Sequence, residues 1–225
     1  MTNHSLKLIT TEDGSHSLLR EDLNETYHSF HGARTESLYV FIEKCLEYYL
    51  TEHSVESVSI FEVGFGTGLN ALLTANYAEK RNVLVDFHSV EPIPVPKDIY
   101  AELNFAESEE EAKILQSLHD SPWELAELIT DNFSLTKYQS TLEQFDSIGG
   151  FDMVYFDAFA PSKQAEIWNL ENIEKCFGLL KKGGILTTYC AQGQFKRNLA
   201  TVGFEVETLK GAMGKKEMVR AHKPK

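Results

Sequence analysis

Residues 61–70 read FEVGFGTGLN, an apolar run that meets three glycines at alternate positions, Gly64, Gly66 and Gly68. Glycine takes positive φ at little cost and has no Cβ, so a ligand can approach such a backbone closely. The residues after it are apolar at helical spacing, and a helix start offers N–H groups without intrahelical partners. A strand, a glycine loop and a helix in that order belong to an open α/β sheet, where ligands bind in the crevice at the carboxyl ends of the strands. This one stretch limits both the fold and the place of the site.

The remaining chain agrees with that architecture. LKLITTEDGSHSLLR (6–20) sets Asp13-Gly14 between two semi-alternating runs and predicts a hairpin. Leu38, Phe41, Ile42, Cys45, Leu46 and Tyr49 follow the one-face spacing of a helix. A strand at about 58–63 and a helix at about 69–80 flank the glycine loop. VLVDFHSV is a second strand ending at Glu91-Pro92, and a polar, helix-prone insertion fills about 97–131. FSLTKYQ and FDMVYFDAF give a third and a fourth strand, and a helix near 165–180 is expected to stop at Lys181-Lys182-Gly183-Gly184. ILTTYCA is a fifth strand; FEVETLK and EMVRA are two last ones with no clear helix between them, which suggests an antiparallel edge. The expectation is one domain over 1–225, with an N-terminal hairpin and cap helix (1–52) on a Rossmann-like core (53–225). Its sheet should have seven strands, mostly parallel, covered on both faces.

Two frames fit the glycine loop. Gly66-Thr67-Gly68-Leu69-Asn70-Ala71 matches the dinucleotide pattern G-x-G-x-x-G/A, with Glu91 about 20 residues on for a ribose. Glu62-Val63-Gly64-Phe65-Gly66-Thr67-Gly68 instead resembles the E-x-G-x-G-x-G of class I S-adenosylmethionine-dependent methyltransferases. The second frame uses all three glycines and gives Glu62 a task, since an acid inside an apolar strand is costly unless something pairs with it. A pyrophosphate would also be repelled by an adjacent carboxylate. The resemblance implies that Glu62 holds the cationic amino-acid end of the cofactor, with Gly64, Phe65, Gly66, Thr67, Gly68 and Asn70 around it and Glu91 on the ribose hydroxyls.

The fourth strand ends in Asp157, Ala158, Phe159, Ala160 and Pro161, where amine-methylating enzymes of the class carry an acid or amide, then proline and an aromatic. A short polar group there can accept a hydrogen bond from a substrate amine and aim its lone pair at the methyl group. ETYHSFHGARTESLYVFIE, FEVGFGTGLNALL, DAFAPSKQAEIW and KGAMGKKEMVRA together resemble the methyltransferase part of the MnmC family, in the same order from about residue 10 to the C-terminus. That resemblance implies S-adenosyl-L-methionine as donor and, as acceptor, the primary amine of wobble 5-aminomethyl(-2-thio)uridine in tRNA. It implies Asp157, Phe159 and Pro161 at the reacting amine, and Tyr27, Ser29, Gly32, Ala33 and Glu36 in a cap over the cofactor. The best-known members also carry a flavin-dependent oxidoreductase domain, for which 225 residues leave no room, so other tRNA-modifying enzymes are expected to supply the aminomethyl group. Class members commonly have an acid near the adenine where this chain has Gln139-Ser140; the candidates become Ser140, Thr141 and Leu142.

The formal net charge of −13 sits poorly with a nucleic-acid partner, whose phosphates need Lys and Arg. The charge is uneven, however, with acids concentrated in 101–127 and bases in 194–225, so Lys196, Arg197, Lys215 and Lys216 are the candidate tRNA contacts. Tyr189 and Phe159 are candidates to flank a flipped uracil. His28 and His31 have metal-like spacing without acidic or cysteine company, which favours packing or hydrogen bonding over a metal. Three separated cysteines, no signal peptide and no long apolar run predict a reduced, cytoplasmic protein. A methyltransferase acting on a small cationic amine and a non-catalytic RNA-binding partner of the same fold remain the alternatives.

Overall fold

The computed structural model describes residues 6–28, 32–146, 149–212 and 214–225. Its centre is an eight-stranded sheet built from β4 (Ser57–Val63), β5 (Leu84–Val90), β6 (Ala126–Thr130), β7 (Phe133–Tyr138), β8 (Phe151–Phe156), β9 (Leu180–Thr188), β10 (Glu205–Lys210) and β11 (Glu217–His222). The spatial order is β10-β11-β9-β8-β4-β5-β7-β6. The chain enters at β4, winds outward through β5 and β7, then returns to the other side of β4 for β8 and β9. The switch point of such a winding lies between β4 and β8, where a crevice opens at the strand ends. β4 pairs with β8 in parallel from Ile60 opposite Met153 to Val63 opposite Phe156, so both strands finish at one level.

The central strands are apolar because both of their faces are covered. In β8 all six residues are buried. Neighbouring side chains point to opposite faces, so Ile60 and Tyr155 join the core against α3 (Leu69–Arg81), while Phe61 and Phe156 join the core against α6 (Leu170–Leu179) and α7 (Gly193–Val202). A run of helix covers the first face as α1 (Ala33–Ser37), a ten-residue π-helical segment Leu38–Glu47 and α2 (Tyr48–His53). Phe41, Ile42, Cys45, Leu46 and Tyr49 are buried as their spacing predicts, whereas Leu38, where the wider i→i+5 turns begin, is exposed.

Several differences from the expected sheet have physical causes. An eighth strand, β6, pairs antiparallel with β7 after the insertion, which is therefore helix followed by strand: α4 (Lys97–Tyr100), α5 (Glu109–Asp120) and β6. β11 is antiparallel to both neighbours and lies inside β10 rather than at the rim. Lys181-Lys182-Gly183-Gly184 does not stop a helix. It lies within β9, where the pairing with β8 slips between Phe151 and Met153 and Gly183 takes φ +77°. The preceding helix is broken into a 3-10 turn, Ala165–Trp168, and α6, whose N-cap Asn169 accepts from the Asn172 N–H.

A three-stranded N-terminal sheet, β1 (Leu6–Thr10), β2 (His16–Arg20) and β3 (Glu25–Thr26), lies against the mouth of the crevice. Lys163 Nζ donates to the Leu23 and Asn24 carbonyls at 3.2 and 2.9 Å, and Arg34 donates to the Phe105 carbonyl at 2.8 Å. These contacts hold the cap to both sides of the site. Cys45, Cys176 and Cys190 are free and buried, and among the described residues no helix is long and apolar enough to cross a membrane.

Candidate active site

The turn after β4 shows why glycine stands there. Gly64 has φ +93°, and a Cβ on it would lie 3.0 Å from the Asp157 carbonyl oxygen. Gly66 has φ +51°, and a Cβ there would meet the Tyr27 ring at 3.0 Å. A side chain at either place would push a wall of the crevice away and strain the backbone. The Gly64 N–H donates to the Val90 carbonyl at 3.0 Å, tying the loop to the end of β5. Glu91 then reaches back across this junction: one oxygen accepts from the Gly66 N–H at 3.0 Å, the other from the Ile93 N–H at 2.9 Å. Burial raises the Glu91 carboxyl above its ordinary pKa, and those two N–H groups pull it down. A carboxylate has about four acceptor positions, so two occupied ones fix its orientation while leaving others toward the crevice.

Glu62 is buried in β4. One of its oxygens accepts from Ser89 Oγ at 2.8 Å and the other from Asn70 Nδ2 at 3.0 Å. Burial pushes this carboxyl well above the usual range, the two donors oppose it, and the nearby acids Asp157 and Glu91 add to the rise. Asn70 Nδ2 also donates to Asp157 Oδ2 at 2.8 Å, while Asn70 Oδ1 is buried without a partner. The two acids thus meet across the Asn70 amide behind the glycine loop, and of the three only Asp157 lines the clefts; the pair of acids is chemically suited to the neighbourhood of a cationic amino group.

Asp157 follows β8, and its N–H donates to the Val63 carbonyl at 3.2 Å. Tyr27, Asp157, Ala158 and Phe159 line two adjoining clefts at once. The first cleft continues to Gly64, Gly66, Glu91, Thr141, Leu142 and Glu143; the second to Glu36, Phe41, Pro161, Tyr189, Cys190 and Lys215. Tyr27 and Phe159 meet edge to face, with centroids 4.9 Å apart, at the partition. The backbone beneath is fixed from below, since Trp168 Nε1 donates to the Phe159 carbonyl at 2.7 Å and Tyr189 Oη to the Ala158 carbonyl at 2.8 Å. Burial raises the Asp157 carboxyl to about 7; the Asn70 hydrogen bond and Lys215 oppose that shift, and Glu36 adds to it. Near neutral pH this group exchanges a proton readily.

The second cleft has a charged wall. Lys215, from the turn between β10 and β11, is ion-paired with Glu36 of α1, and its Nζ stands 4.6 Å from the centre of the Tyr189 ring. Tyr189 therefore forms cleft wall, with its hydroxyl held by burial well above its ordinary pKa.

Not every expected residue faces the crevice. Phe65 turns inward, edge-on to His119 at 5.3 Å and beneath the Lys137 ammonium at 5.2 Å. Thr67 is buried, its hydroxyl shared with His28 Nε2 at 3.2 Å and its carbonyl accepting from His119 Nε2 at 3.0 Å. Ser140 turns its hydroxyl onto the Thr141 carbonyl at 3.0 Å, whereas Thr141 and Leu142 line the first cleft. Glu36 lines the second cleft, away from the glycine loop. His28 spends both ring nitrogens on the Ser17 and Thr67 hydroxyls, and burial lowers its pKa to about 4. Ser29 and His31 lie outside the described residues. Among the described residues no cluster of three His, Cys, Asp or Glu could hold a metal ion.

Lys196 and Arg197 lie on α7, and Lys215 and Lys216 in the β10–β11 turn. Lys196 pairs with Glu217 at 2.9 Å, and Arg197 donates to Gln194 at 2.7 Å. Arg20, Glu143, Gln164 and Glu166 also line the first cleft; Arg20 and Glu143 lie outside the four segments that carry the family resemblance, and Gln164 and Glu166 lie within DAFAPSKQAEIW, where the resemblance gives them no role. Arg20 could have been suspected only as a cation ending β2, with its guanidinium 5.7 Å from the Phe159 ring centre.

Comparison with known proteins bears on the chemistry. A family profile described as S-adenosyl-L-methionine-dependent methyltransferase matches residues 113–224. The chain is 31% identical over 212 residues to the tRNA 5-methylaminomethyl-2-thiouridine biosynthesis bifunctional protein MnmC of Pseudoalteromonas atlantica, covering 86% of this chain and 30% of that protein. It is 27% identical over 224 residues to the protein of the same name from Actinobacillus pleuropneumoniae serotype 5b, covering 91% of this chain and 33% of that one. The chain thus spans about a third of the length of the curated relatives it matches. The crystal structure of MNMC2 from Aquifex aeolicus shares the fold, with a TM-score of 0.81 at 24% identity over 98% of this chain and 71% of that one.

Proposed function

The chain belongs to the S-adenosyl-L-methionine-dependent methyltransferases, and on that premise we propose that it methylates a primary amine. The acceptor we propose is the aminomethyl group of wobble 5-aminomethyl(-2-thio)uridine in tRNA, converted to methylaminomethyl. The names of the curated relatives support that acceptor. The observation that carries the proposal is Asp157, which lines both clefts where they meet.

The donor's amino-acid end fits the socket of Glu62, Asn70 and Asp157, and its ribose fits Glu91 at the end of β5. Thr141 and Leu142 would border the adenine. When bound, the donor supplies a methyl group on a sulfonium sulfur. The chain's residues do the rest. Asp157, once ionised, accepts a hydrogen bond from the acceptor amine and orients its lone pair. A new C–N bond replaces the S–C bond, and the proton leaving nitrogen passes to Asp157 or to solvent. Tyr27 and Phe159 hold the partition between the clefts and, with Pro161 and Tyr189, give flat apolar walls suited to an extruded base.

We assign Lys196 and Arg197 on α7 and Lys216 in the β10–β11 turn to tRNA phosphates. Lys215 is turned into the cleft instead, toward Glu36. The test is tRNA affinity against salt: log affinity should fall linearly with log salt, and each of Lys196→Ala, Arg197→Ala and Lys216→Ala should flatten the slope by about one. A slope near zero, or transfer to a free polyamine as fast as to tRNA, would overturn the tRNA assignment and favour a small cationic amine.

A further inference from the structure

Asn70 is the second residue of α3 and is buried, yet no aliphatic packing explains an amide at that place. Its two amide hydrogens are divided between an acid within β4 and one just after β8, Glu62 Oε1 at 3.0 Å and Asp157 Oδ2 at 2.8 Å. Both neighbours are acceptors, so the nitrogen must face them and the oxygen must face away. That oxygen is buried and finds no partner. Glu62 belongs to the donor socket, while Asp157 borders the acceptor cleft. Asn70 is a side chain in contact with both.

We propose that Asn70 is the positioning residue that couples donor binding to Asp157, one amide holding the acid of the donor socket and the acid of the acceptor cleft in register. Two carboxyls close together in a buried place disfavour each other's ionisation. An N–H aimed at each one relieves that repulsion, and a cationic amino group bound beside the two acids relieves it further. Donor binding should therefore drive a proton off this cluster and leave Asp157 ionised before the acceptor arrives. The charged and titratable groups around Asp157 are Glu62 from β4, Glu91 after β5, Arg20 ending β2, Glu25 of β3, Glu36 from α1, Lys215 from the β10–β11 turn, Tyr27 after β3, and Tyr189 and Cys190 after β9. Glu36 and Lys215 are paired with each other, so the group left to be tuned by the donor is the Glu62–Asn70–Asp157 cluster.

The inference rests on the donor and not on the identity of the acceptor, so its test needs no tRNA. S-adenosylhomocysteine, which keeps the amino-acid end, is titrated calorimetrically into the whole protein in buffers of different ionisation enthalpy, giving the protons released on binding at each pH. Wild type should release a fraction of a proton with a maximum near the Asp157 pKa of about 7. Asp157→Asn should lose that maximum. Asn70→Ala should move it upward by about one pH unit and weaken binding about tenfold. Asn70→Ser, with a single hydroxyl hydrogen, should fall between, and it serves if the alanine variant does not melt cooperatively. No ligand binding by wild type would refute the donor reading. Binding with an unchanged proton-release profile in a folded Asn70 variant would refute the coupling alone, since a purely structural amide would change the melting temperature but not the protons released.

Discussion

The two clefts that meet at Asp157 are built in different ways. The floor of the donor cleft is one short unit, β4, the glycine loop and the end of β5, whose groups hold one another through Glu62–Ser89, Glu91–Gly66 and Gly64–Val90 hydrogen bonds, while the cap, the loop after β7 and the segment after β8 wall it in. The acceptor cleft draws on β3, α1, the loop after β8, the end of β9 and the β10–β11 turn. Its charged contact, Glu36 with Lys215, joins residues 179 positions apart. The hydrogen-bonded floor of the first cleft is a local device, closed within residues 62–93. The second exists only once the whole sheet and its cap have assembled. Donor recognition should therefore depend on the cap only through Arg20 and Tyr27, whereas acceptor recognition should depend on Glu36 and Lys215, which line the second cleft alone.

The largest expected effect removes the group common to both clefts. Asp157→Ala should lower methyl transfer by roughly 10²–10⁴-fold, the range for a positioned proton acceptor, with a much smaller change in donor affinity measured calorimetrically. Equal losses in both would mean that Asp157 serves the donor alone. Gly66→Val should come next, since a branched side chain at φ +51° meets the Tyr27 ring. Donor affinity should drop on the order of tenfold to a hundredfold, in line with about 1–2 kcal/mol of backbone strain plus the displaced ring. Lys215→Ala should raise the acceptor KM several-fold and leave the donor dissociation constant unchanged, which separates the two clefts in a single variant.

The smallest effect is on stability against pH. Asp157 has its folded pKa raised to about 7 from an ordinary 3.8. Between those values the folded state binds the extra proton, so this group's contribution to stability falls as pH rises through the window. Asp157→Asn should melt close to wild type near pH 4 and above it near pH 8. A difference independent of pH would mean that the carboxyl is not raised by burial. Methyl transfer should run the opposite way, rising with pH through about 7 as Asp157 ionises.

The same contrast explains what the sequence disclosed. Glu62, Gly64, Gly66, Glu91 and Asp157 stand at strand ends and in a turn whose spacing is visible in one dimension, and the fold places them together. Phe65 and Thr67 share the motif but point inward, because alternate loop residues serve the core formed with His119 and Lys137. Glu36 sits in a helix with no periodicity to mark its direction, and its partner comes from a hairpin turn, so its cleft could not be read from either segment. The basic C-terminal third looked like an open cationic surface; Lys196 and Lys215 prove to be paired with Glu217 and Glu36, contacts set by a turn and a sheet register. The strand β6 was hidden by the acidic run before it, since AELIT is short, exposed at its start and defined mainly by its pairing with β7.

The central claim is that the methyl group passes across Asp157 to a primary amine on a tRNA uridine. The direct measurement is mass analysis of nucleosides after the protein is incubated with isotopically labelled S-adenosyl-L-methionine and tRNA bearing 5-aminomethyl(-2-thio)uridine. The account predicts one labelled methyl on the side-chain nitrogen of that nucleoside, and none with Asp157→Ala over the same time. Label on another nucleoside, or an undiminished yield with the variant, would contradict it.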